Sequence, residues 1–238
     1  MEVPDDGPYH DREWPQAQKN HAAMITRLDQ TVGEIVDQLD KLDLSRKTLL
    51  LFTSDNGPHG EGGADPKFFQ SSGGLRGHKR DVYEGGIRVP LIARWPGKIA
   101  PGRVAEHVSA FWDVMPTFAE VAGIDCSGSI DGISFLPTLF DKPSLQRRHL
   151  FLYWEFDERG SKQAVRLGNW KLIRETGGRT ELYDLQADPT ELRDVAAQQS
   201  AVLQSIDFVL QTPQTSLKSP HRIKAEKARK HDDDDDDD

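Results

Sequence analysis

The chain has little cysteine, no long apolar run and almost no net charge in its body, and each shortage removes a class of explanation. Its one cysteine, Cys126, lies in Ile124-Asp125-Cys126-Ser127-Gly128. No intramolecular disulfide can form, and cysteine usage says nothing about redox compartment. A reactive thiol wants a basic or helix-start setting; a Gly/Ser loop offers neither, so Cys126 reads as a bystander. No stretch approaches the ~20 apolar residues of a membrane-spanning helix. Met1-Glu2-Val3-Pro4-Asp5-Asp6 has neither the basic segment nor the apolar stretch of a signal peptide. As written, the sequence carries no address and gives no sign of a membrane. The net charge of −9 misleads, because Asp232–Asp238 supply seven of those charges and the remainder balances at −2. Neither a nucleic acid nor any other strongly charged partner is implied for the folded part, and the Asp run reads as a solvated tail.

What is present suffices for a core. The chain has 238 residues, 36% of them hydrophobic, with a mean hydropathy of −0.63, which allows one large domain or one and a half. Residues 1–18 are polar and proline-punctuated and read as an entering loop. Met24, Ile25, Leu28, Val32, Ile35, Val36, Leu39 and Leu42 recur at three- and four-residue steps, which predicts a helix over 21–42. A strand at 48–53 follows, and a helix leading into a strand is the unit of a parallel α/β sheet. Ile87–Trp95 reads as another strand, at an edge or bulged because of Pro90. Asp113–Ala122 has helical spacing with Gly123 as its stop, and Ser134 is placed to cap a short helix through Phe140.

The character changes after about residue 145. His149–Phe156, Gln163–Arg166, Trp170–Arg174 and Thr180–Leu185 are short β-like runs, with Gly168-Asn169 and Gly177-Gly178 as hairpin turns. They predict a small antiparallel sheet, with a last helix carrying Val202, Ile206, Val209 and Leu210 against it. The expected organisation is an α/β part over 1–145, the small sheet over 146–212 and a disordered polar tail over 213–238.

The chemistry concentrates in two places. Leu49-Leu50-Leu51-Phe52-Thr53-Ser54-Asp55-Asn56-Gly57-Pro58 is an apolar run that ends in an acid, an amide, a glycine and a proline. An unbroken apolar run suits a strand buried on both faces, as in a parallel sheet. Asp55 and Asn56 then stand at its carboxyl end, where open α/β sheets place ligands. Two adjacent oxygen donors suit Ca²⁺ or Mg²⁺, although the same residues also make ordinary turns. Between Asp55 and Tyr83 runs a glycine-rich loop (57, 60, 62, 63, 73, 74 and 77), and structureless loops beyond ~15 residues tend to be functional or disordered. Within it, Arg76, Lys79 and Arg80 could contact a sulfate or phosphate, or form a solvated surface paired with Asp81 and Glu84.

The order of these motifs resembles the sulfatase family, arylsulfatase type. The resemblance rests on Asp55-Asn56-Gly57-Pro58, the glycine-rich loop with Lys79, and Tyr83-Glu84-Gly85-Gly86-Ile87-Arg88-Val89-Pro90. The helix Asn20-His21-Ala22-Ala23-Met24-Ile25 with Leu28-Asp29 and Val32-Gly33 is similar to the family as well. So are Trp95-Pro96-Gly97, Asp131-Gly132-Ile133-Ser134, Asn169-Trp170-Lys171 and Glu181-Leu182-Tyr183-Asp184-Leu185. The resemblance covers nearly all of 1–210. It implies part of an alkaline-phosphatase-like α/β sheet flanked by helices, with a small C-terminal antiparallel sheet and a helix. It also implies metal-dependent hydrolysis of sulfate esters, with calcium the usual ion and magnesium the alternative. Asp55 and Asn56 match the family's second pair of metal ligands, and Lys79 matches the lysine that contacts the substrate's sulfate and stabilises charge as the sulfur–oxygen bond breaks. Tyr83-Glu84-Gly85-Gly86 is expected to shape the loop, and neither His59 nor His78 maps onto a catalytic histidine.

Other family features have no counterpart. The nucleophile, formylglycine made within Cys/Ser-x-Pro/Ala-x-Arg, is not matched at Cys126-Ser127-Gly128-Ser129-Ile130 or at any serine. The first pair of aspartate ligands, a catalytic arginine, a lysine–histidine pair and a further histidine are also unmatched. The resemblance is therefore to the C-terminal portion of such an enzyme, in a chain not expected to turn over substrate alone. The alternatives are a non-catalytic polypeptide that complements a separately made N-terminal half, and a related phosphoesterase or phosphonate hydrolase. Asn56 and the Lys79 loop favour a sulfatase over the latter. Enzymes of this type are often periplasmic or secreted; the chain itself does not say.

Overall fold

A computed structural model of the chain describes residues 3–126, 130–157, 161–175 and 177–211. The expected tail over 213–238 and part of the Cys126 loop lie outside the described residues. Helix α1, Gln16–Lys41, begins five residues before the predicted start, directly after Pro15. Proline favours the extended conformation for its predecessor and is compatible with a helix start. Strand β1, Leu50–Thr53, follows. A single helical turn, α2, spans Glu84–Ile87, and β2 spans Leu91–Arg94. The predicted strand over 87–95 is thus shorter, because Glu84-Gly85-Gly86-Ile87 closes a turn and the ladder begins only after Pro90, which has no amide to donate. Helix α3, Val114–Ala122, ends at Gly123 in the left-handed conformation. Helix α4 is the short turn Leu136–Leu139, with Ser134 Oγ accepting the Leu136 amide at 3.2 Å. Among the described residues no helix is long and apolar enough to cross a membrane.

The parallel pairing expected of β1 is not what forms. β1 and β2 make an antiparallel ribbon, with Leu50 opposite Arg94 and Thr53 opposite Leu91. Among the described residues no further strand joins it. Its β1 residues are half-buried, not buried on both faces. An apolar run reports that both faces want cover, and does not report the direction of the neighbouring strand.

The second sheet matches the sequence reading closely. Strands β3 Leu152–Phe156, β4 Lys162–Leu167, β5 Trp170–Glu175 and β6 Thr180–Asp184 form an antiparallel meander in that order. The two-residue period divides its faces. Val165, Leu172 and Leu182 point to one side and are covered by Ile206 of helix α5, Ser200–Gln211. Ala164, Ile173 and Tyr183 point to the other, where Val82 and Tyr83 pack.

That second face also carries charge. Lys171 and Glu181 share it with Tyr183, because Lys171 stands opposite Tyr183 and Glu181 opposite Ile173. Lys171 is fully buried, and its Nζ lies 2.9 Å from Glu84 Oε1 and 2.8 Å from Glu191 Oε1, both themselves buried. Glu191 Oε2 accepts the Glu84 amide at 2.6 Å. Burial raises the Glu191 carboxyl above the usual range, against the pull of Lys171. The small sheet thereby fixes α2, and with it the loop that precedes α2.

The ribbon is left open by comparison. Leu51, Thr53 and Leu91 form one wall of an apolar groove whose other wall is Phe111, Val114, Met115 and Phe118. Ile92 is 59% exposed and Met115 53%. On α1, Ile25, Leu28 and Ile35 are about as exposed, so much of the helix's apolar stripe has no cover.

Two outcomes follow. Lys171→Met takes the ammonium from between Glu84 and Glu191, leaving Glu84 the longer contacts of Arg166 at 3.8 Å and Arg88 at 3.9 Å, and should cost about 3–5 kcal/mol, read as a lowered urea midpoint; a wild-type midpoint would remove the ion cluster from the fold's support. The open groove should drive self-association of the isolated chain at micromolar concentration. The Leu91→Lys/Met115→Glu variant, with one charge on each wall of the groove, should sediment closer to the monomer mass, whereas a wild-type monomer with a sharp melt would contradict the groove's importance.

Candidate functional site

At the carboxyl end of β1 the chain turns sharply. Ser54 Oγ donates to Asn56 O at 2.9 Å, and Asn56 Nδ2 donates to Gly57 O at 3.2 Å. Asp55 is exposed and Asn56 half-buried. The loop carrying Lys79 is joined to this turn through the backbone. The Gly57 amide donates to Gly86 O at 2.9 Å and the Lys79 amide to Pro58 O at 2.8 Å. A side chain at position 57 would collide with the Gly85 carbonyl, so this approach requires glycine. The two predicted motifs therefore meet, with the Lys79 backbone beside Pro58, three residues past Asp55.

The basic residues of the loop divide into two sets. Arg76 turns toward the small sheet, donating from Nη1 to Tyr183 Oη at 2.8 Å and Glu191 O at 2.9 Å, and from Nη2 to Tyr83 Oη at 2.9 Å. Its guanidinium stacks 3.8 Å from the centre of the Tyr83 ring. Both phenols donate to Glu181 Oε2, from Tyr83 at 2.7 Å and from Tyr183 at 2.6 Å. Burial, reinforced by Glu181, pushes both well above the ordinary tyrosine range. Arg76 is thus committed to packing and is not the anion contact that its position in the sequence allowed.

Lys79 and Arg80 are half-buried, and the carboxylate that both meet is not that of Asp81 or Glu84. Glu61, on the turn Glu61–Gly63, lies 3.5 Å from Lys79 Nζ through Oε2 and 2.7 Å from Arg80 Nη1 through Oε1. The hydrogen bond from Arg80, then the charge of Lys79, holds the Glu61 carboxyl below its usual range. Asp81 instead meets His78 Nδ1 at 3.1 Å and Lys162 Nζ at 3.5 Å. The two loop histidines take structural positions. His59 Nδ1 accepts the Glu61 amide at 3.1 Å, and its ring lies 6.4 Å from that of His21, which stacks on Phe69. Burial, then the charge of His59, lowers the His21 imidazole below its ordinary value.

For a hard divalent ion the donors are right in kind and short in number. The Asp55 carboxylate is accessible, and Asn56 commits its amide nitrogen to Gly57 O, which turns its oxygen away from that contact. Two side chains fall short of the 6–8 oxygens of a calcium site. Among the described residues no group of three or more His, Cys, Asp or Glu side chains could hold a metal ion. Three contributors escaped the sequence reading. Glu61 carried no signal beyond its place in a glycine-rich loop, and Glu191 none at all. Lys171 did carry one, since strand alternation puts it on the same face as Ile173, inward.

Residues 4–124 match the Sulfatase family, and residues 77–216 match the family N-sulphoglucosamine sulphohydrolase, C-terminal. The chain is 31% identical over 218 residues to an N-acetylgalactosamine-6-O-sulfatase of Bacteroides thetaiotaomicron, a match covering 81% of this chain and 41% of that protein. It is 37% identical over 171 residues to human Arylsulfatase A, covering 69% of this chain and 32% of the relative. Among solved structures, Ps i-CgsB in complex with k-i-k-neocarrahexaose aligns with a TM-score of 0.74 at 27% identity, covering 86% of this chain and 45% of that one. The chain thus spans less than half the length of these relatives. With its Asp-Asn-Gly-Pro turn and Lys79 loop joined as the motifs require, and with a family match running from residue 4 to 124, the chain belongs to the sulfatase family.

Proposed function

We propose that this chain is the C-terminal portion of a sulfuric ester hydrolase of the arylsulfatase type, supplying half of its metal site and its sulfate-contacting lysine. The observation that carries the reading is the backbone junction of Gly57-Pro58 with Lys79 and Gly86, which holds an acid, an amide and a lysine in one rigid unit. Asp55 and Asn56 would hold a divalent cation, Ca²⁺ or Mg²⁺, through oxygen, with further ligands needed from outside the chain. Such an ion supplies positive charge that polarises the sulfate oxygens and lowers the cost of the transition state. Lys79 meets the sulfate's non-bridging oxygens with a positioned ammonium, offsetting charge as the sulfur–oxygen bond breaks. Asp55 accepts no proton in this scheme; it serves as a fixed anion. The division of labour extends to the sheet over 146–212, which holds α2 and so fixes the reach of Lys79.

The exposed groove between the β1–β2 ribbon and α3 favours a second reading of the same chain, as a polypeptide that acts only when joined to an N-terminal half. Under either reading the sulfate ester is the substrate of the joined enzyme, and the chain alone has no nucleophile for the covalent route.

The isolated chain should therefore give no turnover of a chromogenic aryl sulfate above background, with or without Ca²⁺. Metal-dependent turnover abolished by Asp55→Ala would overturn this. In an enzyme reconstituted with an N-terminal half, Asp55→Ala should lose metal affinity and recover in part with excess Ca²⁺. Lys79→Ala should lose ~10²-fold or more in kcat/KM and recover at no metal concentration. A metal titration of both variants separates the two, and wild-type kcat/KM in Lys79→Ala would remove that residue from the site.

A further inference from the structure

Glu61, Lys79 and Arg80 make a contact that the role of Lys79 alone does not explain. Two cations approach the two oxygens of one carboxylate, Lys79 Nζ at 3.5 Å and Arg80 Nη1 at 2.7 Å. This is the geometry of a cradle for a small anion, with the anion supplied by the chain. Arg80 makes the shorter contact, and its backbone stands at φ +77, in the left-handed region where a long side chain is disfavoured and glycine is at ease.

The carboxylate is held loosely and the cations firmly. Glu61 is 49% exposed in its side chain and sits between Gly60 and Gly62, the latter at φ +64, with Gly63 following at φ +80. The turn is anchored beyond Glu61, where buried Gln18 of α1 donates to Gly63 O at 3.2 Å and accepts the Asp65 amide at 3.4 Å. The cation side is tied at Lys79 to Pro58 O and at Asp81 to His78 O. Glu61 can therefore swing into solvent without disturbing either anchor. A sulfate monoester carries one negative charge, as the carboxylate does, so the exchange leaves the local charge unchanged. A sulfate also presents three oxygens in different directions, which suits two donors arriving from separate residues better than a planar acid does.

We infer that Glu61 is a built-in placeholder for the sulfate group of the substrate, and that Arg80 is a second sulfate-contacting side chain beside Lys79. The inference rests on the reading of Lys79 as a sulfate contact. Entry of the sulfate displaces Glu61 from both cations, and departure of the product lets it return. No bond is made or broken in the exchange. In the empty state the placeholder lowers the affinity of the two cations for every anion by the same factor, and neutralises them until a ligand of higher intrinsic affinity arrives.

The test uses the full chain, held monomeric by Leu91→Lys/Met115→Glu in the apolar groove, and sodium sulfate at fixed ionic strength, with affinity read from the amide resonances of residues 76–81. Glu61→Gln should tighten sulfate binding by about two- to fivefold, the worth of an exposed ion pair removed from competition, and Glu61→Ala should do the same. Arg80→Gly should weaken binding by about fivefold or more while raising the melting temperature by a few degrees as the strained φ relaxes. That pairing of weaker binding with higher stability is not what loss of a purely structural residue produces. Unchanged sulfate affinity in both Glu61 variants overturns the placeholder, and wild-type affinity in Arg80→Gly overturns the second contact. Absence of saturable binding in wild type and Glu61→Gln overturns both. If Lys79→Ala weakens sulfate binding while the Glu61 variants do nothing, the inference falls and the reading of Lys79 stands. If Lys79→Ala binds normally while Glu61→Gln tightens, that reading falls and the placeholder stands on Arg80.

Discussion

An ammonium with no exposure to water has to be met by opposite charge inside the protein, and the position of the candidate site follows from how Lys171 is met. Glu84 and Glu191 close around it on the inner face of the four-stranded sheet. Glu84 is the first residue of the single turn that ends the glycine-rich loop, so the ion cluster fixes where that loop finishes. Gly85 then lies against Arg76, Gly77 and Gly57, and Gly86 against His78 and Asp81, closely enough to exclude any side chain. The Asp55-Asn56 turn and the Lys79 backbone are positioned as a consequence. Buried ion pairs add little to net stability compared with well-packed apolar side chains. Here the pair fixes one docking of the loop out of many that apolar contacts alone would allow.

The local elements were legible where a single period governs. The 3.6-residue recurrence gave α1 and α3, and two-residue alternation with glycine turns gave the β3–β6 meander to within one residue, except that β3 starts at Leu152 and not at His149. The direction of pairing was not legible. The run over 49–53 states how apolar β1 is, and nothing in it records that β2 runs antiparallel beside it. At the site, Asp55, Asn56 and Lys79 could be named because they occupy a recognisable order of motifs. Arg76 could not be told from Arg80 in the sequence, since both are arginines of one loop. Only the fold shows that one faces Tyr83 and Tyr183 and the other Glu61. Glu191 was invisible because its partners lie 20 and 107 positions away along the chain. Long-range charge pairs have no sequence period.

The two sheets differ in how fully their faces are used. The meander is covered on one side by α5 and on the other by the Val82-Tyr83 segment, and its polar groups are answered by named partners. The ribbon has two strands and an open apolar groove, and two strands alone are marginal in water. The solved structure that shares the fold is covered to 45% of its length by this chain. Cover on that face would bear on Asp55 directly, because Asp55 stands two residues past the end of β1.

The register of the ribbon sets the order in which the molecule can assemble. Thr53 pairs with Leu91 across the whole glycine-rich loop, whereas β3 to β6 are joined by short turns. Closing a loop of nearly forty residues carries a larger entropy cost than closing a hairpin, and that cost falls due before the pairing returns anything. The meander is therefore the low-contact-order part, able to form from neighbouring residues alone. Once it stands, Lys171 offers a charged seat for Glu84, and capture of Glu84 fixes the far end of the loop on a formed sheet before the ribbon closes. The four-stranded sheet, translated after the loop, acts as the template on which the loop is wound, so that the geometry of residues 55–80 waits on residues more than ninety positions downstream.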